Sequence, residues 1–143
     1  MKKLFALIAS VLLIASVASG ISELGVRFGD VSGGDIAVDA IISIGQYSRI
    51  HADVSFGNGV GIDLLVDFLY KRFGREALNW YAGFGPFVVF DDPFQLGVVG
   101  ELGFEYRFTF PISISADWRP SFRIIENTDL SAGGFGLNIR LVF

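Results

Sequence analysis

From residue 21 to residue 143 bulky apolar side chains recur at every second position, and the residues between them are small, polar or charged. The last stretch shows this most plainly: Phe135, Leu137, Ile139, Leu141 and Phe143 alternate with Gly134, Gly136, Asn138, Arg140 and Val142. Successive side chains on a β-strand point to opposite faces, so a period of two predicts strands with one apolar and one polar face. Gly, Asp and Asn clusters break the alternation at short intervals. The breaks predict eight strands, over 21–29, 35–44, 47–57, 60–71, 77–90, 95–108, 111–124 and 132–143. Eight strands joined by short connections make an all-β fold, an eight-stranded antiparallel up-and-down barrel.

The two faces differ sharply. One parity carries Phe28, Ile36, Phe56, Phe68, Tyr70, Trp80, Phe84, Phe104, Trp118 and Phe122 among many aliphatics, and no charge. The other carries the acids Glu23, Asp39, Asp53, Asp63, Asp67, Glu101, Glu105 and Asp117. Its bases are Arg27, Arg49, Lys71, Arg107, Arg119, Arg123 and Arg140, and His51, Asn79, Tyr81 and Asn138 lie beside them. Glycines fill much of the rest.

An eight-stranded barrel has an interior just wide enough for side chains to fill it. The aromatic parity is too bulky for that space, whereas the glycine-rich parity leaves room for arginines to reach carboxylates. The apolar face is therefore expected outside, against lipid, in a transmembrane barrel. The opposite arrangement would be a soluble, lipocalin-like carrier. Tilted strands need about 9–11 residues to span a bilayer, and these suffice. Outward aromatics gather near strand ends, as interfacial girdles do: Phe28, Phe56, Phe90 and Phe135 at one rim, Tyr70, Trp80, Tyr106, Phe108 and Phe143 at the other. Pro86 and Pro120 also fall on the outward parity. Each removes a ladder donor, which predicts a bulge or a strand end at both, near the outer rim.

Composition agrees with a membrane barrel. Only 18% of residues are charged and mean hydropathy is positive, yet residues 21–143 offer no run of ~18 apolar residues for a spanning helix. The first residues read as a secretory signal peptide, 1–19: Lys2 and Lys3, an apolar run from Leu4 to Ile14, then small residues to Ser19. This divides the chain into signal peptide and a single barrel domain, 20–143. Without Lys2 and Lys3, nine of eleven basic residues remain against fifteen acids, a net charge of −6. With no basic patch, nucleic acid is not an expected partner. Cysteine is absent, which excludes disulfides and thiolate metal sites.

The expected outer loops are 30–34, 57–59, 91–94 and 125–131, and the inner turns 45–46, 72–76 and 108–111. Asn58-Gly59 is a strong two-residue hairpin sequence. Acids collect on the outside, at Asp30, Asp35, Asp91, Asp92, Glu126 and Asp129.

GELGFEYRF at 100–108, PISISADWRP at 111–120 and the closing GFGLNIRLVF at 134–143 resemble the small eight-stranded outer-membrane barrels of the OmpA-transmembrane and OmpX kind. The resemblance implies residence in the outer membrane of a Gram-negative bacterium, among outer-membrane lipid and lipopolysaccharide. It also implies insertion by the barrel-assembly machinery, which reads the last strand through Phe135, Leu137, Ile139, Leu141 and Phe143. The short outer loops depart from adhesion-type relatives.

Chemistry is harder to find. His51 and Asp53 share a face, and Ser113 and Ser115 share that parity elsewhere, so a Ser–His–Asp hydrolase acting on lipid A is conceivable in outline. Parity buries these groups inside the barrel, away from lipid, which favours a histidine held in an internal network. Glu101 and Glu105 stand about 13 Å apart along a strand, too far for a glycosidase pair. No glycine loop ends in GK[ST], and His or Cys ligand spacing is absent. Asp91 and Asp92 could meet divalent cations bridging lipopolysaccharide, and are more simply solvated acids. The expectation is a non-enzymatic structural barrel without cofactor or metal. Its lumen is closed by a network of Arg27, Asp39, Asp53, Asp63, Asp67, Glu101, Glu105, Asp117, Arg119 and Arg140. A narrow channel for ions or small solutes is the alternative.

Overall fold

The computed structural model describes residues 21–31, 34–45, 48–57, 59–74, 77–125 and 128–143. The predicted signal peptide lies outside the described residues, as do Gln46, Asn58 and Glu126 of the predicted loops. Every described element is a strand: β1 (Glu23–Val31), β2 (Gly34–Ser43), β3 (Arg49–Gly57), β4 (Gly59–Arg72), β5 (Leu78–Phe90), β6 (Gln95–Arg107), β7 (Ile112–Trp118), β8 (Ser121–Ile125), β9 (Asp129–Ser131) and β10 (Phe135–Val142). Sequential strands pair antiparallel from β1 to β6, β6 pairs with both β7 and β8, and β1 closes the ring on β10. β7 with β8, and β9 with β10, are interrupted halves of single barrel strands. The result is a closed, all-antiparallel barrel of eight strands, as the alternation predicts.

Burial answers the question of facing. Among the described residues thirty-one large apolar side chains are exposed, including Phe28, Phe56, Phe68, Phe84, Phe104 and Phe122, and seven apolar residues are buried. All eight acids of the polar parity are 5% exposed or less, as are Arg27, Arg49, Arg119 and Arg140. Every described phenylalanine but Phe87 is exposed, while the acids of the polar parity and four of its arginines are inside, so the lumen is not the apolar cavity of a lipocalin-like carrier.

Two local readings of the sequence need correction. Phe68 is an extra residue in β4: Asp67 pairs with Gly83 but Leu69 with Ala82. Such a bulge reverses the parity that follows it. Tyr70 therefore turns into the lumen, where its hydroxyl meets Glu105 at 2.5 Å, and Lys71 is exposed on the outside. The sequence pattern had assigned them the other way round. The second correction concerns Pro86, where β5 neither bulges nor ends: Pro86 pairs with Val98 inside an unbroken β5–β6 ladder. The missing N–H costs one bond without moving the register. Pro120 does interrupt its strand, between β7 and β8. Even there the register carries across, from Leu102↔Trp118 to Val98↔Phe122, and the Gly100 N–H reaches the Pro120 carbonyl at 2.8 Å.

Glycines make the interior possible. A Cβ at Gly136 would run into the guanidinium of Arg27, and one at Gly103 into the Tyr81 ring. At the outer hairpin Gly59 takes φ +86°, which glycine allows, and pairs with Gly57, so the register is not that of the expected two-residue Asn58-Gly59 turn, which would pair Gly57 with Val60.

Candidate functional site: an ion network across the lumen

Register alone puts like charges together. Asp39 faces Asp53 across β2 and β3, and Asp53 faces Asp63 across β3 and β4. Directly opposed like charges destabilise a sheet. The compensating cations come from other strands, Arg119 from the far wall and Arg140 from β10, one strand beyond β1. Arg119, between β7 and β8, lies on the barrel strand diametrically opposite β3, and its Nη1 donates to Asp53 Oδ2 at 2.6 Å. Its Nε donates to Glu101 Oε2 at 2.7 Å, and Asp63 lies 3.6 Å from Nη1. Arg140 of β10 donates from Nε to Asp39 Oδ2 at 2.5 Å.

At the same level sits His51. Its Nε2 is 2.5 Å from Asp39 Oδ1 and its Nδ1 2.7 Å from Glu101 Oε1. Each nitrogen–oxygen pair holds one proton, so the imidazole joins two carboxylates from different walls. The Arg119 guanidinium approaches the same ring, with Nη2 3.1 Å from Nε2 and 3.4 Å from Nδ1.

Towards the end where β1 starts, Glu105 collects three cations. It accepts from Arg49 Nη1 at 3.1 Å, Arg140 Nη1 at 3.0 Å and Arg107 Nε at 3.2 Å. Arg107 also bonds Glu23 at 2.5 Å, and Arg49 bonds Asp67 at 2.7 Å. The Arg49 guanidinium lies against two aromatic rings, 4.3 Å from the Tyr70 centroid and 4.6 Å from that of Tyr81. Towards the opposite end Arg27 meets Asp117 at 2.5 Å, and Asn138 donates to the other Asp117 oxygen at 2.8 Å. All ten predicted network residues thus lie in the lumen, in one connected set. Arg49, Arg107, Glu23 and His51 belong to it as well.

The arrangement can fill and brace the lumen. Because Arg119 reaches from one wall to the opposite one, with His51 and Glu101 beside it, the cross-section there is occupied by side chains. Two groupings have metal-ligand proximity, Asp39–His51–Asp53 and His51–Asp67–Glu101. In both, the histidine nitrogens are already committed to carboxylates, and the guanidinium of Arg119 supplies the positive charge a metal would bring.

The hydrolase residues are not brought together. His51 spends both nitrogens on acids, Ser115 accepts from Asn138 at 2.9 Å, and Ser113 lies in register with Arg140 and Arg107. Asp91 and Asp92 form a local turn, with the Asp92 N–H on the Asp91 carboxylate at 2.8 Å.

Sequence parity also missed an apolar patch inside the barrel. Leu65, Phe87, Val89 and Val99 are buried together on the lumenal face of β4, β5 and β6. The clue was the continuous apolar run from Pro86 to Phe90, where both parities are apolar. Compared with known protein families, characterised proteins and solved structures, the chain matches none.

Proposed function

We propose that the chain is a structural, non-enzymatic barrel of the outer membrane of a Gram-negative bacterium, exported by its signal peptide and closed to solutes by its lumenal ion pairs. The observation that carries this reading is the inversion of burial: large apolar side chains, all the described phenylalanines but Phe87 among them, are outside, and the carboxylates with Arg27, Arg49, Arg119 and Arg140 are inside. Water-soluble proteins rarely expose contiguous apolar patches beyond a few hundred Å². Here a belt of aromatic and branched side chains runs round the whole ring, which suits hydrocarbon. The longest strands, β4 with 14 residues and β5 and β6 with 13 each, exceed the bilayer requirement. Lipopolysaccharide would meet the acidic loop end, and the assembly machinery would read Phe135 to Phe143 during insertion.

Cell fractionation and gel migration with and without boiling test architecture and location together. The expected result is a heat-modifiable band in the outer-membrane fraction; a band in the soluble fraction refutes the reading. Planar-bilayer recording separates plug from channel. The purified barrel should give a flat baseline, and steady unitary openings would make the lumen a conducting path.

A further inference from the structure

The bulge in β4 turns a lysine towards the surroundings of the barrel. Because Phe68 is the extra residue, Lys71 faces outward and stands directly across the ladder from Trp80 of β5. Trp80 in turn pairs with Phe104 of β6, and the Phe73 ring meets the Phe104 ring edge-on, 6.2 Å between centroids. Phe73 and Phe104 are 58% and 51% exposed. Arg72, the last residue of β4, is exposed as well. The turn that follows is fixed by the Phe73 N–H, which donates to the Leu78 carbonyl at 2.7 Å. Two consecutive bases thus stand at the edge of an outward aromatic cluster.

Their depth follows from the strand. Lys71 comes at the opposite end of β4 from Gly59, eleven ladder steps away once the bulged Phe68 is discounted. At about 3.4 Å per step and a tilt near 40° these steps descend roughly 29 Å, beyond an apolar band about 25 Å tall. Headgroups occupy roughly the next 5–7 Å. Lys71 and Arg72 therefore come level with lipid headgroups, and the rings of Trp80, Phe104 and Phe73 with the start of the acyl chains. A long basic side chain can lay its stem along such rings and keep its charge at the phosphates.

Charge favours one kind of headgroup. Residues 71–76, KRFGRE, hold three bases and one acid. The other end of the barrel is acidic, with Asp30, Asp35, Asp91, Asp92 and Asp129 exposed or half-buried there. A chain that is negative overall is thus positive at its inner rim. A phosphate whose headgroup carries no amine suits that rim better than a zwitterion does.

We infer that this rim binds an anionic phospholipid of the inner leaflet, its phosphate on Lys71 and Arg72 and its upper acyl chains on Trp80, Phe104 and Phe73. The assignment rests on the membrane reading and adds to it a lipid class and a place on the ring.

The test is quenching of single tryptophans by lipids brominated on their acyl chains, with the barrel refolded into vesicles. Trp118→Phe leaves Trp80 as the reporter of the inner rim, and Trp80→Phe leaves Trp118 as the reporter of the other. In vesicles of brominated phosphatidylcholine, unbrominated phosphatidylglycerol should relieve quenching of Trp80 about fivefold more effectively than unbrominated phosphatidylcholine does. At Trp118 the two should be equal. Adding Lys71→Gln and Arg72→Gln should bring Trp80 to the same parity, whereas Lys71→Arg should keep the preference. Salt near 1 M, where screening acts within about 3 Å, should reduce the preference in the unaltered rim, a measurement that serves even where the double variant does not insert. Quenching of both tryptophans without a headgroup preference at Trp80 would overturn the lipid assignment and leave the membrane reading standing. A preference that is equal at Trp118, or that survives both the double variant and salt, would overturn it too. No quenching of either tryptophan would remove the membrane reading and the assignment with it.

Discussion

An arginine placed on the outward face discriminates sharply between hydrocarbon and water as the surroundings of the barrel. Leu64 is outward on β4 and 47% exposed. It stands five residues from Gly59 at the loop end of that strand. At about 3.4 Å per residue and a tilt near 40°, five residues descend roughly 13 Å, half of an apolar band about 25 Å tall. Leu64 is thus at the midplane, whereas Phe90, the last residue of β5, is at the rim. Under the membrane reading Leu64→Arg costs about 2–4 kcal/mol and Phe90→Arg about 0–1 kcal/mol. The first is roughly a 30- to 900-fold loss in the folding constant. In water the same exposed substitutions would both stay within about 0.5 kcal/mol. The assay is guanidinium unfolding of the two variants and the parent, refolded into lipid vesicles, followed by tryptophan emission of Trp80 and Trp118. A large cost at 64 and a small one at 90 is expected. Equal, near-zero costs would remove hydrocarbon from around the barrel and with it the argument from facing.

The lumen yields its own tests. Arg119→Met strands Asp53 and Glu101 in a buried site and should cost about 3–5 kcal/mol, read as a shift in the same unfolding midpoint; a neutral outcome would mean that water reaches these carboxylates. Gly136→Ala drives a methyl into the Arg27 guanidinium and should cost about 1–3 kcal/mol, again read from unfolding, with Gly133→Ala, whose Cβ meets nothing closer than 3.7 Å, as the near-neutral comparison. Deleting Phe143 should lower the amount of heat-modifiable protein in cells while leaving unfolding of the purified, refolded barrel within about 0.5 kcal/mol. A parallel loss in vitro would assign Phe143 to stability and not to assembly.

The barrel was legible because a period of two survives burial of either face. Strand count, closure and the identity of the lumenal ions all follow from parity and from the volume that an eight-stranded ring encloses. What escaped were features that a parity rule cannot see. The extra residue at Phe68 swaps Tyr70 and Lys71, and nothing in DFLYKR marks it as a bulge, because every residue there tolerates a strand. Pro86 and Pro120 have the same covalent chemistry and different outcomes, one inside an unbroken ladder and one at a break between β7 and β8. The partners of each charge were likewise hidden: Arg119 finds Asp53 over 66 positions of sequence, a distance only closure of the ring removes. Phe87 and Val89 sat in a run apolar on both faces, where alternation carries no information.

The network does more to select the register than to add stability. Replacing a buried ion pair by apolar side chains of similar volume is often neutral or stabilising, so the pairs of Arg27 with Asp117 or Arg140 with Asp39 are poor explanations for why the barrel is stable. Slippage is another matter. Shifting a strand by one residue turns its whole lumenal set outward. For β3 such a slip would expel Arg49, His51 and Asp53 together while drawing Ile50, Ala52, Val54 and Phe56 inward. At about 2–4 kcal/mol for one arginine at the midplane, plus the stranded partners Asp67 and Glu105, a single slipped strand forfeits a large part of the roughly 5–15 kcal/mol that holds a domain folded. Ion pairs that contribute little in the correct register thus make the neighbouring registers untenable, and that asymmetry is reason enough for so many charges to be buried in so small a ring.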